Sequence, residues 1–388
     1  MRRVYLDHTA TTPLDAQVFE AMKPYFSEKY GNASSIHQFG QEARAALDQS
    51  RDTIARLLGA QSGEILFVSG GTEADNFALK GVAWKMREEE GKNHIITSKA
   101  EHHAVLETCE FLEHNGFDVT YLNVDEYGMV DPADVRKAIT PKTAIISIMH
   151  ANNEVGTINP IEEIGLIGKE HGVVFHSDAV QSFGKLPLAV DQVKADLLSL
   201  SAHKIYGPKG IGALYIRKGT KIERFMHGGG QERGRRAGTE NVPLAVGFAK
   251  AAELMASMGE SEQRRLGQLK VKLHAMIEER FPFVIFNGHP TDALPHILNI
   301  SFDSEKVEID GEALLFNLDL AGIAVTSGSA CTSGSMEPSH VLLAMGRDEK
   351  TARATIRFSM GESTTEEDIE YTVGVLEEVV RKIAKVLV

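Results

Sequence analysis

Pro160-Ile-Glu-Glu-Ile-Gly-Leu-Ile-Gly-Lys-Glu-His171, followed by Gly172-Val-Val-Phe-His176 and then by Ser177-Asp178-Ala-Val-Gln181, is the stretch that decides the fold.

 The first half reads as a helix. Val173–His176 reads as a strand too apolar to be half solvated, as in a parallel sheet covered on both faces. Asp178 then falls just past that strand, at the carboxyl edge where open α/β sheets bind ligands. The same alternation extends outward from about residue 50 to 217. Further candidate strands are Glu64–Val68, His94–Thr97, Val119–Leu122, Thr143–Met149, Asp196–Ser199 and Ala213–Ile216, and Glu73–Glu90 is another helical segment. The pattern predicts an α/β fold with a mainly parallel seven-stranded sheet.

After about residue 259 the character changes. Glu260–Arg280 reads as a long polar helix, Pro295–Phe302 as a strand and Glu312–Leu320 as a helix. A last helix opens with capping-box spacing at Thr364 and Glu367, then buries Ile369, Val373, Leu376, Val380, Ile383 and Leu387 on one face. The expected organisation is an N-terminal arm (1–15) packing on the small domain, a large domain (16–259) and a smaller α/β C-terminal domain (260–388). A chain of 388 residues is long enough for two cores.

Hydrophobic residues make up 43% and charged residues 24%, as in ordinary globular proteins. The net charge of −13 argues against a broad grip on nucleic acid, although Arg233, Arg235 and Arg236 form a local basic patch. Two cysteines, Cys109 and Cys331, exclude a disulfide framework and a structural zinc site. No apolar run approaches the ~18–20 residues of a membrane span, and residues 1–13 have no signal-peptide core. The cytoplasm is the expected location.

Several stretches carry chemistry. Ser199-Leu-Ser-Ala-His-Lys204-Ile-Tyr-Gly-Pro-Lys-Gly210 sets one lysine in a small polar turn after a strand. Such a lysine is either a surface cation or a desolvated nucleophile towards an aldehyde. Asp178 is either a helix cap or a carboxylate that keeps a pyridinium protonated. In Ile65-Leu-Phe-Val-Ser69-Gly-Gly-Thr72 a strand turns on glycines into a helix whose N-terminus suits a phosphate; a plain capped turn is the other reading. Of His102 and His103, at a strand-to-helix junction, one is placed to stack on a planar cofactor and move protons. Val325-Thr-Ser-Gly-Ser-Ala-Cys331-Thr-Ser-Gly-Ser335 has almost no apolar anchor, so its thiol is expected on a mobile, exposed loop. Cys109, within a helical apolar pattern, reads as a buried filler. Arg357, in Ala354-Thr-Ile-Arg357-Phe-Ser, suits a carboxylate or a plain salt bridge.

Together and in this order these stretches resemble the NifS/IscS cysteine desulfurases, within the fold-type I pyridoxal-phosphate enzymes. The match runs from Tyr5-Leu-Asp-His-Thr-Ala-Thr-Thr12 to the region of Arg357. It includes Tyr30-Gly-Asn-Ala-Ser-Ser35, His150-Ala-Asn-Asn153-Glu and His227-Gly-Gly-Gly-Gln-Glu-Arg-Gly-Arg-Arg-Ala-Gly-Thr239. The long Ser/Gly stretch around Cys331 resembles the group with an extended cysteine loop. His8-Thr9 stands where many members have two asparagines, and Ala33 where proline is common.

The resemblance implies the following roles. Lys204 would carry pyridoxal phosphate, Asp178 would pair with its ring nitrogen, Gln181 would contact its hydroxyl and His102 would stack on the ring. Gly71, Thr72, Ser201 and His203 would bind the phosphate, joined by Thr239 from a neighbouring subunit of a homodimer. Asn153, beside the cofactor, and Arg357 would hold the carboxylate of L-cysteine. Lys204 would move the Cα proton, and Cys331 would take the sulfur as a persulfide while alanine leaves. No intrinsic metal is expected; Cys331 would meet one only by sharing a cluster with a scaffold partner. The chain stops at Val388, right after the last helix, so a tail that some members use to dock an iron–sulfur scaffold is expected to be missing. The implied acceptor is a scaffold protein or a tRNA 2-thiouridylase, without direct nucleic-acid binding by this chain. A selenocysteine lyase or another fold-type I enzyme is the alternative, and a non-catalytic sulfur carrier a remote one.

Overall fold

The computed structural model describes residues 2–328 and 337–387. Cys331 and the loop expected around it lie outside the described residues.

The strands, in chain order, are β1 (Val4–Tyr5), β2 (Ile65–Val68), β3 (His94–Ser98), β4 (Asp118–Leu122), β5 (Thr143–Ser147), β6 (Val174–Asp178), β7 (Leu197–Ser201) and β8 (Gly212–Ile216). They continue with β9 (Val284–Asn287), β10 (Ile297–Phe302), β11 (Val307–Glu308), β12 (Ile323–Ala324), β13 (Thr355–Ser359) and β14 (Lys385–Val386). A seven-stranded sheet has the order β2-β8-β7-β6-β5-β3-β4. Only β8 runs against its neighbours, β2 and β7; the other pairings in this sheet are parallel.

β3, β5, β7 and β8 are buried along their whole length, which explains their unbroken apolar runs. Helix Gly71–Glu90 covers one face, burying Phe77, Leu79 and Val82 with Leu66, Ile145 and Leu214. The other face packs Ile146, Phe175 and Leu198 against Leu47, Ile54 and Phe248.

A second core joins Leu266, Leu269, Leu273 and Ile277 to Ile300, Phe358, Val373 and Leu376. It is built on the antiparallel sheet β13-β10-β9. The polar helix expected to begin at Glu260 is the second half of one helix, Val242–Arg280, broken at Gly259. The φ of 51° and ψ of −146° at Gly259 suit a residue without a Cβ. Phe248 and Met255 before the break face the first core, and Leu266 to Ile277 after it face the second.

Two local expectations need correction. The capping box of helix Glu366–Ile383 uses Thr365 and Asp368, one residue later than expected. Thr364 Oγ1 is engaged instead, accepting from the Gly361 N–H at 2.9 Å. The chain also continues past this helix into β14, which pairs antiparallel with β11.

The N-terminal arm spans both cores. β1 pairs in parallel with β12, whereas Thr12 bonds the His203 carbonyl beside β7.

Candidate active site

The parallel strands deliver their carboxyl ends to one edge. There β2 leads through Ser69-Gly70 into helix Gly71–Glu90, and β3 leads to His102, the N-cap of helix His103–His114. β6 ends on Asp178, and β7 leads into the short 3₁₀ turn Ala202–Lys204. Gly71, Thr72, His102, Asn153, Asp178, Gln181, Ser201, His203, Lys204 and Arg357 line a single cleft of about 500 Å³. Thr326 and Gly328, just before the Cys331 segment, line it too. Thr239 does not; it lines a separate cavity of about 190 Å³ with Ser69 and Arg236.

The Lys204 amine donates to the carbonyls of Thr9 at 2.5 Å and Ala10 at 2.8 Å. Burial, and next the Arg357 charge, push it down to about 8, while Asp178 and Asp7 act the other way. The shift raises the neutral fraction of the amine near neutral pH well above that of an ordinary lysine, as a nucleophile or base requires.

Asp178 accepts from the Val180 N–H at 2.8 Å, so it closes a turn rather than capping a helix. Burial pushes its carboxyl up to about 6. Asp75, also on the cleft wall, is pushed well up by burial and then by Asp178. Its Oδ1 lies 3.6 Å from His176 Nε2.

His102 Nδ1 accepts from the Ala104 N–H at 3.0 Å, which leaves Nε2 to carry the proton of the neutral ring. Desolvation within the cleft, then the Lys204 charge, push its imidazole down to about 4. Arg357 is buried; Nη1 donates to the Asn153 carbonyl at 2.9 Å and Nη2 to Asp7 Oδ1 at 2.8 Å.

These groups fit a flat, phosphorylated pyridine aldehyde. Helix Gly71–Glu90 has no side-chain cap, which suits its N-terminal N–H groups to an anion. A Cβ at Gly71 would lie 2.7 Å from Val180 Cγ2, so this end of the cleft is a cradle that glycine leaves open and that suits a phosphate. Gln181 donates through Nε2 to the Thr9 carbonyl at 3.0 Å, while its buried Oε1 has no partner among the described residues. That acceptor suits a ring hydroxyl. Asp178 supplies a carboxylate for a ring nitrogen and Lys204 an amine for the aldehyde.

Sequence reasoning missed Asp7, Thr9, Ala10 and Asp75. The first three lie in a stretch with a readable signal, Tyr5–Thr12, but two of them act through backbone carbonyls. Asp75, three residues into the helix from Thr72, looks like any surface acid. Cys109 is buried in helix His103–His114, and burial pushes its thiol far up.

The model of the aminotransferase class-V family matches residues 4–372. The chain is 53% identical to the cysteine desulfurase IscS of Dictyoglomus turgidum, over 98% of this chain and 95% of that protein. Among solved structures, a NifS-like protein superposes with a TM-score of 0.91 at 39% identity, covering 98% of this chain and 100% of that one. SspA in complex with cysteine superposes with a TM-score of 0.80 at 42% identity, covering 92% of this chain and 98% of that one.

Proposed function

The chain belongs to the class-V aminotransferase family and is a pyridoxal-phosphate-dependent cysteine desulfurase, and from that premise we propose how its residues divide the work. The observation that carries the assignment of roles is the meeting of Lys204, Asp178 and Arg357 in the cleft that Thr326 and Gly328 also line. When bound, pyridoxal phosphate supplies an electron sink for charge developing at the substrate Cα.

Lys204 would hold the cofactor, and its amine would move the Cα proton. Asp178 keeps the ring nitrogen charged, Gln181 accepts from the ring hydroxyl, and His102 stacks on the ring. Gly71, Thr72, Ser201 and His203 hold the phosphate. Arg357 and Asn153 orient the cysteine carboxylate. The Cys331 thiolate attacks the substrate sulfur, the Cβ–S bond breaks, and the carbon takes the electron pair and a proton to leave as alanine. Cys331 keeps the sulfur as a persulfide.

Cys331→Ser tests this division. It should retain the cofactor and lose alanine formation from L-cysteine; unchanged alanine release would remove Cys331 from the mechanism and favour a selenocysteine lyase or another fold-type I activity.

The division into an arm (1–15), a large domain (16–259) and a small domain (260–388) is supported by the two separate cores. A homodimer is supported by the position of Thr239 outside the cleft of its own chain. It is also supported by exposed apolar side chains close in sequence: Phe26, Tyr30, Phe39 and Ile36, the last 91% exposed. Sulfur passes to an acceptor protein, an iron–sulfur scaffold or a tRNA 2-thiouridylase. Transfer of sulfur-35 from labelled enzyme to each candidate distinguishes the two. A cytoplasmic setting suits a thiol that must stay reduced. Among the described residues no helix is long and apolar enough to cross a membrane.

A further inference from the structure

Glu154 follows Asn153 in the turn after β5 and is 2% exposed. Its carboxylate meets the described chain on both sides of the Cys331 segment. On the N-terminal side, Gly328 packs against it so closely that a Cβ there would fall 2.8 Å from Glu154 Oε2. The φ of +96° at Gly328 independently favours glycine. On the C-terminal side, Ser339 Oγ donates to the same Oε2 at 2.5 Å. Ser339 Oγ also accepts from the Leu342 N–H at 3.2 Å, which caps the helix His340–Ala344.

The backbone of Glu154 is tied in turn to the cleft wall. Its N–H donates to Asn152 Oδ1 at 2.8 Å, and its carbonyl accepts from Asn299 Nδ2 at 3.2 Å. The neighbouring Asn153 carbonyl accepts from Arg357. A second tie holds the C-terminal stem: His340 Nε2 bonds the Glu101 carbonyl, next to His102. Burying a carboxylate carries a desolvation penalty that an apolar filler would not, so space-filling alone does not account for a glutamate here.

We propose that Glu154 is a positioning residue for sulfur abstraction, fixing both stems of the Cys331 segment in register with Asn153 and Arg357. The proposal rests on the reading of Cys331 as the sulfur-accepting thiol. It separates two halves of the reaction. Movement of the Cα proton needs Lys204 and the cofactor, whereas alanine formation from cysteine also needs Cys331 in place.

The test uses holoenzyme carrying Glu154→Ala, Glu154→Gln or Ser339→Ala. Three quantities are measured: retained cofactor, exchange of the Cα hydrogen of L-alanine with deuterated water, and alanine formation from L-cysteine. A stem displaced by about 1 Å is expected to slow alanine formation about 10- to 100-fold in Glu154→Ala, with exchange and cofactor affinity within about threefold. Glu154→Gln keeps an oxygen that can accept from Ser339 and should recover most of the rate. Ser339→Ala should add little on top of Glu154→Ala. Should Glu154→Ala fail to fold, Glu154→Gln and Ser339→Ala report the same split, each with a smaller loss. Parallel loss of exchange and alanine formation, or no loss of either, overturns the proposal. Cys331→Ser measured beside them separates the two readings. If it abolishes alanine formation while the Glu154 and Ser339 variants are unaffected, only the positioning role fails; if it leaves alanine formation intact, the thiol assignment fails, and the positioning role with it.

Discussion

Asp7 Oδ1 sits 2.8 Å from Arg357 Nη2, and this ion pair joins the N-terminal arm to β13 at the wall of the Lys204 cleft. The same guanidinium bonds the Asn153 carbonyl, and its buried Nε has no partner among the described residues. Arg357 is thus held at a fixed angle. Arg357→Lys keeps the charge and loses the planar fork, so the KM for L-cysteine should rise about tenfold or more, with a smaller effect on kcat. Asp7→Asn should raise KM about threefold and add little on top of Arg357→Lys, because the two act as one unit. Steady-state kinetics of the two single variants and the double variant check this.

Lys204→Ala removes the amine proposed to hold the cofactor. Pyridoxal phosphate should then wash out on desalting, and alanine formation should fall by about 10²- to 10⁴-fold, the usual loss on removing a general base. The Thr9 and Ala10 carbonyls that hold the amine would be left without this donor. Absorbance of the desalted protein reads the cofactor loss directly, and a retained cofactor band would show that another group carries it.

The depressed Lys204 amine predicts a pH dependence. Capture of pyridoxal phosphate by cofactor-free chain requires the neutral amine, so its rate should rise with pH through about 8 and level off above it. The Arg357 charge is the second cause of the depression, after burial. Arg357→Met should therefore move the rising limb to higher pH. Stopped-flow absorbance across pH 6–10, a window of about two units either side, follows both curves.

The large sheet is legible in the sequence because most of its strands contain short apolar runs bounded by turn residues. The expected strand Glu64–Val68 is Ile65–Val68, and Ala213–Ile216 is Gly212–Ile216. Elements held by pairing rather than pattern are less legible: β9 has three half-buried residues out of four, and β14 has two residues in all. The gathering of Lys204, Asp178 and Arg357 follows from strand ends sharing one edge. The carbonyls of Thr9 and Ala10 gave no signal, because a backbone oxygen meeting Lys204 from as far as 195 residues away in sequence depends on tertiary placement and not on side-chain type.

Asp178 illustrates a site held at the expense of stability. In the cofactor-free chain its folded value, about 6, lies above the ordinary carboxylate value. Its favourable contribution is full below the unfolded value, about pH 4, and is lost as pH rises through about 6. Asp178→Asn should therefore stabilise the cofactor-free chain at pH 7.5, by on the order of 1–3 kcal/mol, and weaken retention of pyridoxal phosphate. Urea denaturation at pH 4.5 and 7.5 tests the sign: the variant's advantage should appear only at the higher pH.

Gly71→Ala probes the proposed phosphate cradle by adding one methyl group. The new Cβ would lie 2.7 Å from Val180 Cγ2 and 3.9 Å from Ser201 Cβ, so Val180 is the obstacle. Valine is stiff about χ1, so the clash is relieved by moving backbone next to Asp178 rather than by a rotamer change. Cofactor affinity should drop about tenfold, equivalent to roughly 1.4 kcal/mol. Adding Val180→Ala removes the obstructing methyl and should restore most of that affinity, whereas Val180→Ala alone should leave it nearly unchanged. Fluorescence titration of cofactor-free protein with pyridoxal phosphate measures all three variants. Failure of the second substitution to rescue the first would mean that alanine harms the phosphate site by covering its N–H donors and not by crowding Val180.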